Sequence, residues 1–286
     1  MNTLKTAFLL TVLTLFLMFI GEYFGGQNGM ILALIIAAVM NFVSYFFSDK
    51  IALAMYRAQP VTREQEPRIY GIVERLTQRT GLPMPKVYVI PTESPNAFAT
   101  GRNPNHASVA VTHGILGLLT DDEMEGVLAH ELGHVRNRDI LISSVAATIA
   151  GAITLAARMF GYAAMFGGYG GRDDRDRGGG ALGALFMLIL APIAAVLIQL
   201  AISRSREYAA DETGAHITGN PYALASALQK LETYSKRMPL QASPSTAHLF
   251  IIQPFLGMNL ASLFSTHPPT AKRIERLTGR APEFQA

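Results

Sequence analysis

The stretch VLAHELGHV, Val127–Val135, decides how the rest of this sequence is interpreted. His130 and His134 are four residues apart, so on a helix both side chains project from one face, one turn apart. Two imidazoles at this spacing can ligate one zinc ion, and Glu131 between them lies beside the open position of the metal. Gly133 lowers helix stability with no structural return that the sequence reveals. The stretch therefore predicts a zinc site with an acid–base residue.

The helix that carries this stretch has a clear start signal. Thr120 and Glu123 have the spacing of a capping box, and the acidic residues at 121–123 suit the positive end of a helix. Apolar residues flank both histidines. We therefore expect a helix that begins after Thr120 and lies in the core of the domain.

Two histidines leave a catalytic zinc ion one protein ligand short. The chain has no cysteine, so the third ligand is a His, Glu or Asp. The best candidate is Glu207 in SRSREYAAD; Asp211, one turn further on the same face, could accept an N–H of a ligand histidine. Pairing of Glu207 with Arg204 or Arg206 on a solvated face is the alternative. The rival ligands are the remaining histidines, His106, His113, His216, His248 and His267.

Composition and hydropathy indicate a membrane protein. Only 16% of the 286 residues are charged, against about 25% in typical soluble domains. Four apolar runs without an internal charge occur at 6–21, 30–48, 140–157 and 181–202, and about 17–25 such residues cross a bilayer. No A-x-A site follows the first run and a second run begins soon afterwards, which favours two transmembrane helices over a signal peptide. The last two runs predict two more, with a buried hairpin in a globular core as the alternative for the third.

The basic residues predict the orientation. The link at 22–29 contains no Lys or Arg, whereas Lys50, Arg57 and Arg63 follow the second run. Because cytoplasmic loops carry the excess of basic residues, we expect a multi-pass protein of the cytoplasmic membrane with both termini and the polar segments in the cytoplasm. The net charge of +3 is spread along the chain rather than clustered on one face, so we expect no nucleic-acid partner.

The polar segments predict an α/β domain that is mostly helical, zincin-like and built around a small β-sheet. Strands are expected at 85–90 and 107–112, joined by a connection rich in Pro, Asn and Gly. Amphipathic helices are expected in PRIYGIVERLTQRTG, NPYALASALQKLETYSKRM and PPTAKRIERL, and SRSREYAADETGAHI is expected to continue as helix from the fourth run. The expected organisation is two transmembrane helices (1–48), the first half of a peptidase domain (49–139), a hydrophobic hairpin (140–202) and the second half (203–286).

Taken together, HELGH, the downstream S-R-x-x-E-Y-x-A-D element and the apolar runs resemble the HtpX group, membrane zinc peptidases related to the CAAX prenyl protease. SPNAFATG (94–101) and STHPPTAKRIERL (265–277) also match this group, and the resemblance covers essentially the whole chain. It implies one zinc ion held at the positions of His130, His134 and Glu207, and catalysis by Glu131. Asp211 is our inference from spacing.

The resemblance implies an endopeptidase that cleaves misfolded or damaged membrane proteins, and it also implies self-cleavage. Two alternatives stay open, a zinc-containing membrane scaffold or chaperone without proteolysis, and a CAAX-type processing protease. An intact Glu131 argues against the scaffold, since zinc binding alone needs no general base. The strand ASVAVT (107–112) and the SPNAFA stretch are the candidates for holding an extended substrate. His267 or a nearby arginine is the candidate for stabilising the oxyanion.

Overall fold

The computed structural model describes residues 2–146, 148–149, 204–237, 249–252 and 267–280. The expected hydrophobic hairpin at 140–202 therefore lies outside the described residues except for 140–146 and 148–149, which are helical. In the described parts the chain is mostly helical and has one small mixed sheet, as the sequence predicts.

The N-terminus forms a helical hairpin. Helix α1 runs from Asn2 to Met55 and is kinked at Gly26, whose φ of 57° is a conformation that glycine adopts without steric cost. The side chain of Asn41 donates a hydrogen bond to Thr14 Oγ1 across the hairpin, at 2.9 Å. The stretches Thr6–Tyr23 and Gly25–Met55 are long and apolar enough to cross a membrane, and only 13% and 11% of them is buried within the protein. Such exposed apolar surface suits a lipid environment and differs from the buried core helix of a soluble domain.

The sheet has four strands in the order β1-β2-β4-β3. They are β1 (Gln59–Pro60), β2 (Lys86–Ile90), β3 (Ala97–Gly101) and β4 (Ala107–Thr112). Strands β2 and β4 are parallel, and the other two pairs are antiparallel. The predictions of β2 and β4 are confirmed. Strand β3 lies in the segment expected to be a connection, and it occupies one edge of the sheet beside β4.

Besides a 3-10 turn at Pro104–His106 and the helical residues 140–146 and 148–149, six further α-helices lie within the described residues. They are α2 (Pro67–Thr80), α3 (His113–Leu118), α4 (Asp121–Arg136), α5 (Arg204–Thr218), α6 (Pro221–Arg237) and α7 (Thr270–Thr278). The predicted amphipathic helices are α2, α6 and α7, and the predicted apolar face of α2 is buried. The capping box is also confirmed, because Thr120 Oγ1 accepts from the N–H of Glu123 and the Glu123 carboxylate accepts from the N–H of Thr120.

Helix α4 is the centre of the domain. It packs against α2 and β3 on one side and against α5 and α6 on the other. Its residues Val127, Leu128, Leu132 and Val135 are at most 1% exposed. Burial of this apolar surface holds α4 rigidly, so the polar side chains that it projects toward α5 have fixed positions.

Candidate metal centre

Helices α4 and α5 bring together the side chains that the sequence pattern singled out. His130 and His134 lie one turn apart on α4, with ring centroids 4.8 Å apart and ring planes at 88°. Glu207 reaches them from the first turn of α5, with one carboxylate oxygen 3.8 Å from His130 Nε2 and the other 3.4 Å from His134 Nε2. One donor atom from each of the three residues lies within 4.8 Å of the others. This set of two imidazoles and one carboxylate fits a zinc ion.

Two glycines allow the two helices to approach so closely. A Cβ atom on Gly214 of α5 would lie 2.9 Å from the backbone nitrogen of His130, and one on Gly133 of α4 would lie 3.3 Å from Cα of Ala210. The sequence alone reveals no structural reason for Gly133. The structure supplies the reason, because a side chain there would press α5 away from the histidines.

Each histidine turns its other ring nitrogen toward a second carboxylate. His130 Nδ1 lies 2.9 Å from Asp211 Oδ1, and His134 Nδ1 lies 3.3 Å from Asp139 Oδ2. A carboxylate that accepts the Nδ1–H fixes the ring orientation and leaves Nε2 with its lone pair toward the metal position. Both Nε2 atoms face Glu207, so the arrangement is consistent for the two rings.

Arg273 on α7 holds Asp211 in place. Its Nε and Nη2 atoms donate to the two oxygens of Asp211 at 2.8 and 2.6 Å, and Nη1 donates to the backbone oxygen of Ile251 at 2.8 Å. Arg273 is 1% exposed. Our sequence interpretation missed this residue. The sequence contained one indication of its role, because Arg273 lies next to Ile274 on the apolar side of the amphipathic helix α7.

Glu131 lies beside the three ligand candidates and contacts the sheet. Its carboxylate accepts a hydrogen bond from the N–H of Ala99 on β3, at 2.8 Å. Glu131 and Ala99 line one cleft, and the other lining residues are Phe98, His130, His134, Asp139, Ile140, Ser143, Arg206, Glu207, Leu249, Phe250, Ile251 and His267. The cleft therefore joins the ligand cluster, the acid–base candidate and the edge strand.

The rival histidines divide into three groups. His106, His113 and His216 are exposed and do not belong to the cluster, and His248 lies outside the described residues. His267 does reach the site, where its Nδ1 lies 2.8 Å from Glu207 Oε2. The alternative of a solvated Glu207 is wrong, because this residue is 6% exposed and faces the three histidines.

The electrostatics of the cluster favour a cation. Burial disfavours the charged form of His134, but the carboxylates of Glu207, Asp139 and Glu131 outweigh it and raise the pKa of His134 to about 9. Burial also disfavours ionised Glu207, yet the neighbouring His267 and His134 hold the pKa of Glu207 well below its usual value. Glu207 thus stays ionised between the two Nε2 atoms, and a metal that binds there replaces the proton held by His134.

Comparison with known proteins assigns the family. Residues 63–281 match the sequence model of peptidase family M48. The protease HtpX homolog of Desulfatibacillum aliphaticivorans is 58% identical over 282 residues, which cover 99% of this chain and 91% of the relative. The protease HtpX homolog of Thermococcus sibiricus is 56% identical over 276 residues, covering 96% and 94% of the two chains.

A solved structure shares the fold. The crystal structure of S. mikatae Ste24p superimposes with a TM-score of 0.52 at 21% identity, covering 96% of this chain and 64% of that chain. The family match extends over most of the sequence, and the relatives match nearly end to end. The chain therefore belongs to peptidase family M48, as a membrane-associated zinc metallopeptidase akin to the HtpX proteases.

Proposed function

We propose that this peptidase holds one zinc ion per chain and hydrolyses peptide bonds of misfolded or damaged membrane proteins. The observation that carries the proposal is the convergence of His130, His134 and Glu207 within 4.8 Å, with Glu131 in the same cleft. These three residues are the ligands in a zincin-like arrangement of the gluzincin type. Asp211 orients His130, and Asp139 orients His134.

The chemistry divides between the metal and the chain. A zinc ion in such a site acts as a Lewis acid that polarises a carbonyl and lowers the pKa of water. Glu131 takes a proton from the attacking water, whose oxygen bonds to the carbonyl carbon of the substrate. Glu131 then delivers that proton to the nitrogen of the leaving amine as the C–N bond breaks. His267 and Arg206 are the candidates for stabilising the oxyanion, since both line the cleft.

An extended substrate pairs with β3 in this proposal. Of the two stretches considered from the sequence, ASVAVT is strand β4, which has β2 on one side and β3 on the other. Strand β3 lies at the sheet edge and beside Glu131. Backbone pairing at an edge strand holds many sequences, which suits a peptidase for unfolded proteins.

The proposed topology is multi-pass. We place the two helices of α1, and the apolar runs at 140–157 and 181–202, across the cytoplasmic membrane. The basic residues after α1, such as Arg57 and Arg63, support a site on the cytoplasmic side. Substrates on this side include other membrane proteins and further copies of the enzyme itself, so the proposal includes self-cleavage.

A paired measurement of zinc content and cleavage tests the proposal. The zinc-loaded protein and its Glu131→Gln variant are compared in detergent on an unfolded, unlipidated protein. We expect equal zinc in both and a loss of about 10²–10⁴-fold in the cleavage rate, the usual contribution of general acid–base catalysis. Glu125→Gln is the matched control, because Glu125 lies on the same helix but pairs with Arg75 and Arg79 outside the cleft.

Two outcomes would count against the proposal. Cleavage at the parental rate by Glu131→Gln would show that this residue is not the base. No cleavage by the zinc-loaded parent would reject the general endopeptidase and favour a scaffold or a processing enzyme that requires a lipidated substrate.

A further inference from the structure

One short helical segment forms a shared wall between the cleft and the membrane hairpin. Asp139, at the start of this segment, lines the cleft together with Ile140 and Ser143. Leu141, Val145 and Ile149 on its other side are buried in one cluster with residues of α1, namely Leu10, Leu13, Leu17 and Tyr45. A helix with its side chains is about 10 Å thick. The catalytic cleft therefore lies a single helix thickness from the hairpin.

The edge strand also contacts the hairpin, at a second place. The last turn of α1 buries Ala52 and Leu53 against Phe98 of β3, and the ring of Tyr56 lies 5.5 Å from that of Phe98. Arg102, which follows β3, places its guanidinium carbon 5.4 Å from the ring centroid of Phe46. The strand that contacts Glu131 is thus packed on the cytoplasmic end of α1.

The side chains of α1 mark the level of the membrane surface. Phe42, Phe46 and Phe47 are 40–57% exposed, as expected of residues that face lipid. The polar residues Asp49 and Lys50 follow directly, and the Lys50 ammonium lies 5.2 Å from the ring centroid of Phe47. A change from exposed aromatic to charged residues is typical of the bilayer interface.

The distance from this surface to the catalytic centre is short. Ala99 contacts Glu131, and Arg102, three residues further along, contacts Phe46 at the interface. Three residues of extended chain span about 10 Å. A transmembrane substrate that lies beside the hairpin adds its own helix thickness, another 10 Å or so. An extended peptide covers the resulting ~20 Å with about six residues.

We propose that the substrates are membrane proteins with an unfolded segment directly next to a transmembrane span, and that the enzyme cuts within about ten residues of that span. This inference rests on the proposed function and adds the position of the scissile bond. It follows that an extended tail attached to a span is cut most often near the bilayer and less often further out, even where its sequence is the same, because a longer tether brings its segment to a fixed site less often.

A single-span reporter with a repetitive tail tests the position of the cut. Its cytoplasmic tail repeats one unstructured sequence over about 40 residues, roughly 130 Å when extended. All repeats are chemically equivalent, so only their distance from the span differs. Enzyme and reporter are reconstituted together in vesicles, and the cuts are mapped by mass spectrometry. We expect the most cuts within about ten residues of the span and roughly eightfold fewer at about 40 residues, since the effective concentration of a tethered segment falls roughly as the −3/2 power of its length.

The controls separate failure of the inference from failure of the proposed function. The same tail without its span is offered in detergent to the parent and to Glu131→Gln. If the parent cuts this free tail along its length and cuts the anchored tail mainly near the span, the inference holds. If both tails are cut uniformly, the inference is wrong while the peptidase activity stands. If the parent cuts neither, the proposed function fails and the inference fails with it.

Discussion

The two histidines of the candidate metal centre are held by different parts of the molecule. His130 is 1% exposed and contacts Asp211, which comes from another helix and is fixed by two hydrogen bonds from Arg273. The side chain of His134 is 16% exposed and contacts Asp139, which lies only five residues further along the chain, at a longer distance of 3.3 Å. One side of the centre is therefore built by tertiary packing, and the other by a local turn.

The surroundings of the two histidines therefore differ in how rigidly they are held and in how accessible they are. On the His130 side, Asp211, Arg273 and His130 are all buried. Each of them must be paired, because an unpaired charge in the protein interior is costly. Both histidines line the cleft, but His134 is the more exposed of the two, and Asp139 and Arg206 line the cleft beside it. We infer that the His130 side fixes the geometry of the centre and that the His134 side accommodates substrate.

Removing Arg273 should produce the largest change. Arg273→Met leaves Asp211 buried without the guanidinium that neutralises it, and loss of one partner of a buried pair typically costs about 3–5 kcal/mol. We expect the free energy of unfolding in detergent to fall by this amount and the zinc affinity to fall with it. Thermal unfolding followed by circular dichroism, with zinc content measured on each sample, checks the expectation.

Arg276→Met is the matched control for this experiment. Arg276 lies on the same helix but is exposed, with its guanidinium carbon 3.7 Å from the ring centroid of Tyr208. An exposed cation–π contact contributes about 0.5–1 kcal/mol, so the control should change stability little. Equal losses of unfolding free energy in Arg273→Met and Arg276→Met would contradict a special role for the buried contacts around His130.

Removing the charge of Asp211 or of Asp139, the carboxylates that contact the two histidines, should have an intermediate effect, which is a loss of zinc affinity. Asp211→Asn and Asp139→Asn each remove one charge without changing the shape of the side chain. Loss of a carboxylate that orients a ligand histidine typically costs 10–100-fold in metal affinity. We expect Asp211→Asn to reach about this range and Asp139→Asn to cost less than about tenfold, because its contact is longer and more exposed. Competition with a zinc chelator measures both values, and a larger loss for Asp139→Asn would reverse our interpretation.

The same contrast explains which features the sequence could reveal. His130, His134 and Glu131 follow from the spacing of one helix, and Asp211 follows from Glu207 by one turn of another. The capping box of Thr120 and Glu123 is likewise a local pattern. Such features are predictable because residues three or four apart on a helix must be neighbours.

The features that the sequence did not reveal depend on contacts between distant segments. Arg273 meets Asp211 across 62 positions. His267 was a candidate from the sequence, but its contact with Glu207 across 60 positions was not predicted. Strand β3 was missed because SPNAFATG contains the Pro, Asn and Gly typical of turns, and only its pairing with β4 makes it a strand. Local propensity cannot predict such pairings, since tertiary contacts decide them.

Glu123 at the start of α4, about two turns from His130 and about three from His134, should give the smallest effect and should leave zinc binding unaffected. Buried Glu123 accepts hydrogen bonds from Ser226 and Lys230 of α6. Burial opposes ionisation of this carboxyl, but Lys230, Ser226 and the N–H of Thr120 together lower the pKa of Glu123 below its ordinary value of 4.5. A carboxyl with a lowered pKa in the folded state contributes stability that is present above the unfolded pKa. That stability is lost as the pH falls through the folded value.

We therefore expect Glu123→Gln to lower the free energy of unfolding near neutral pH by up to about 1 kcal/mol, because Lys230 is partly exposed and Gln can still complete the capping box. The difference from the parent should shrink as the pH falls below 4.5. Asp122→Asn, which removes an exposed charge from the same helix turn, corrects for the helix dipole. Unfolding curves across pH, with zinc affinity measured at neutral pH, check both parts. Reduced zinc affinity in Glu123→Gln would contradict this expectation. It would mean that the contacts between α4 and α6 also set the position of the two histidines.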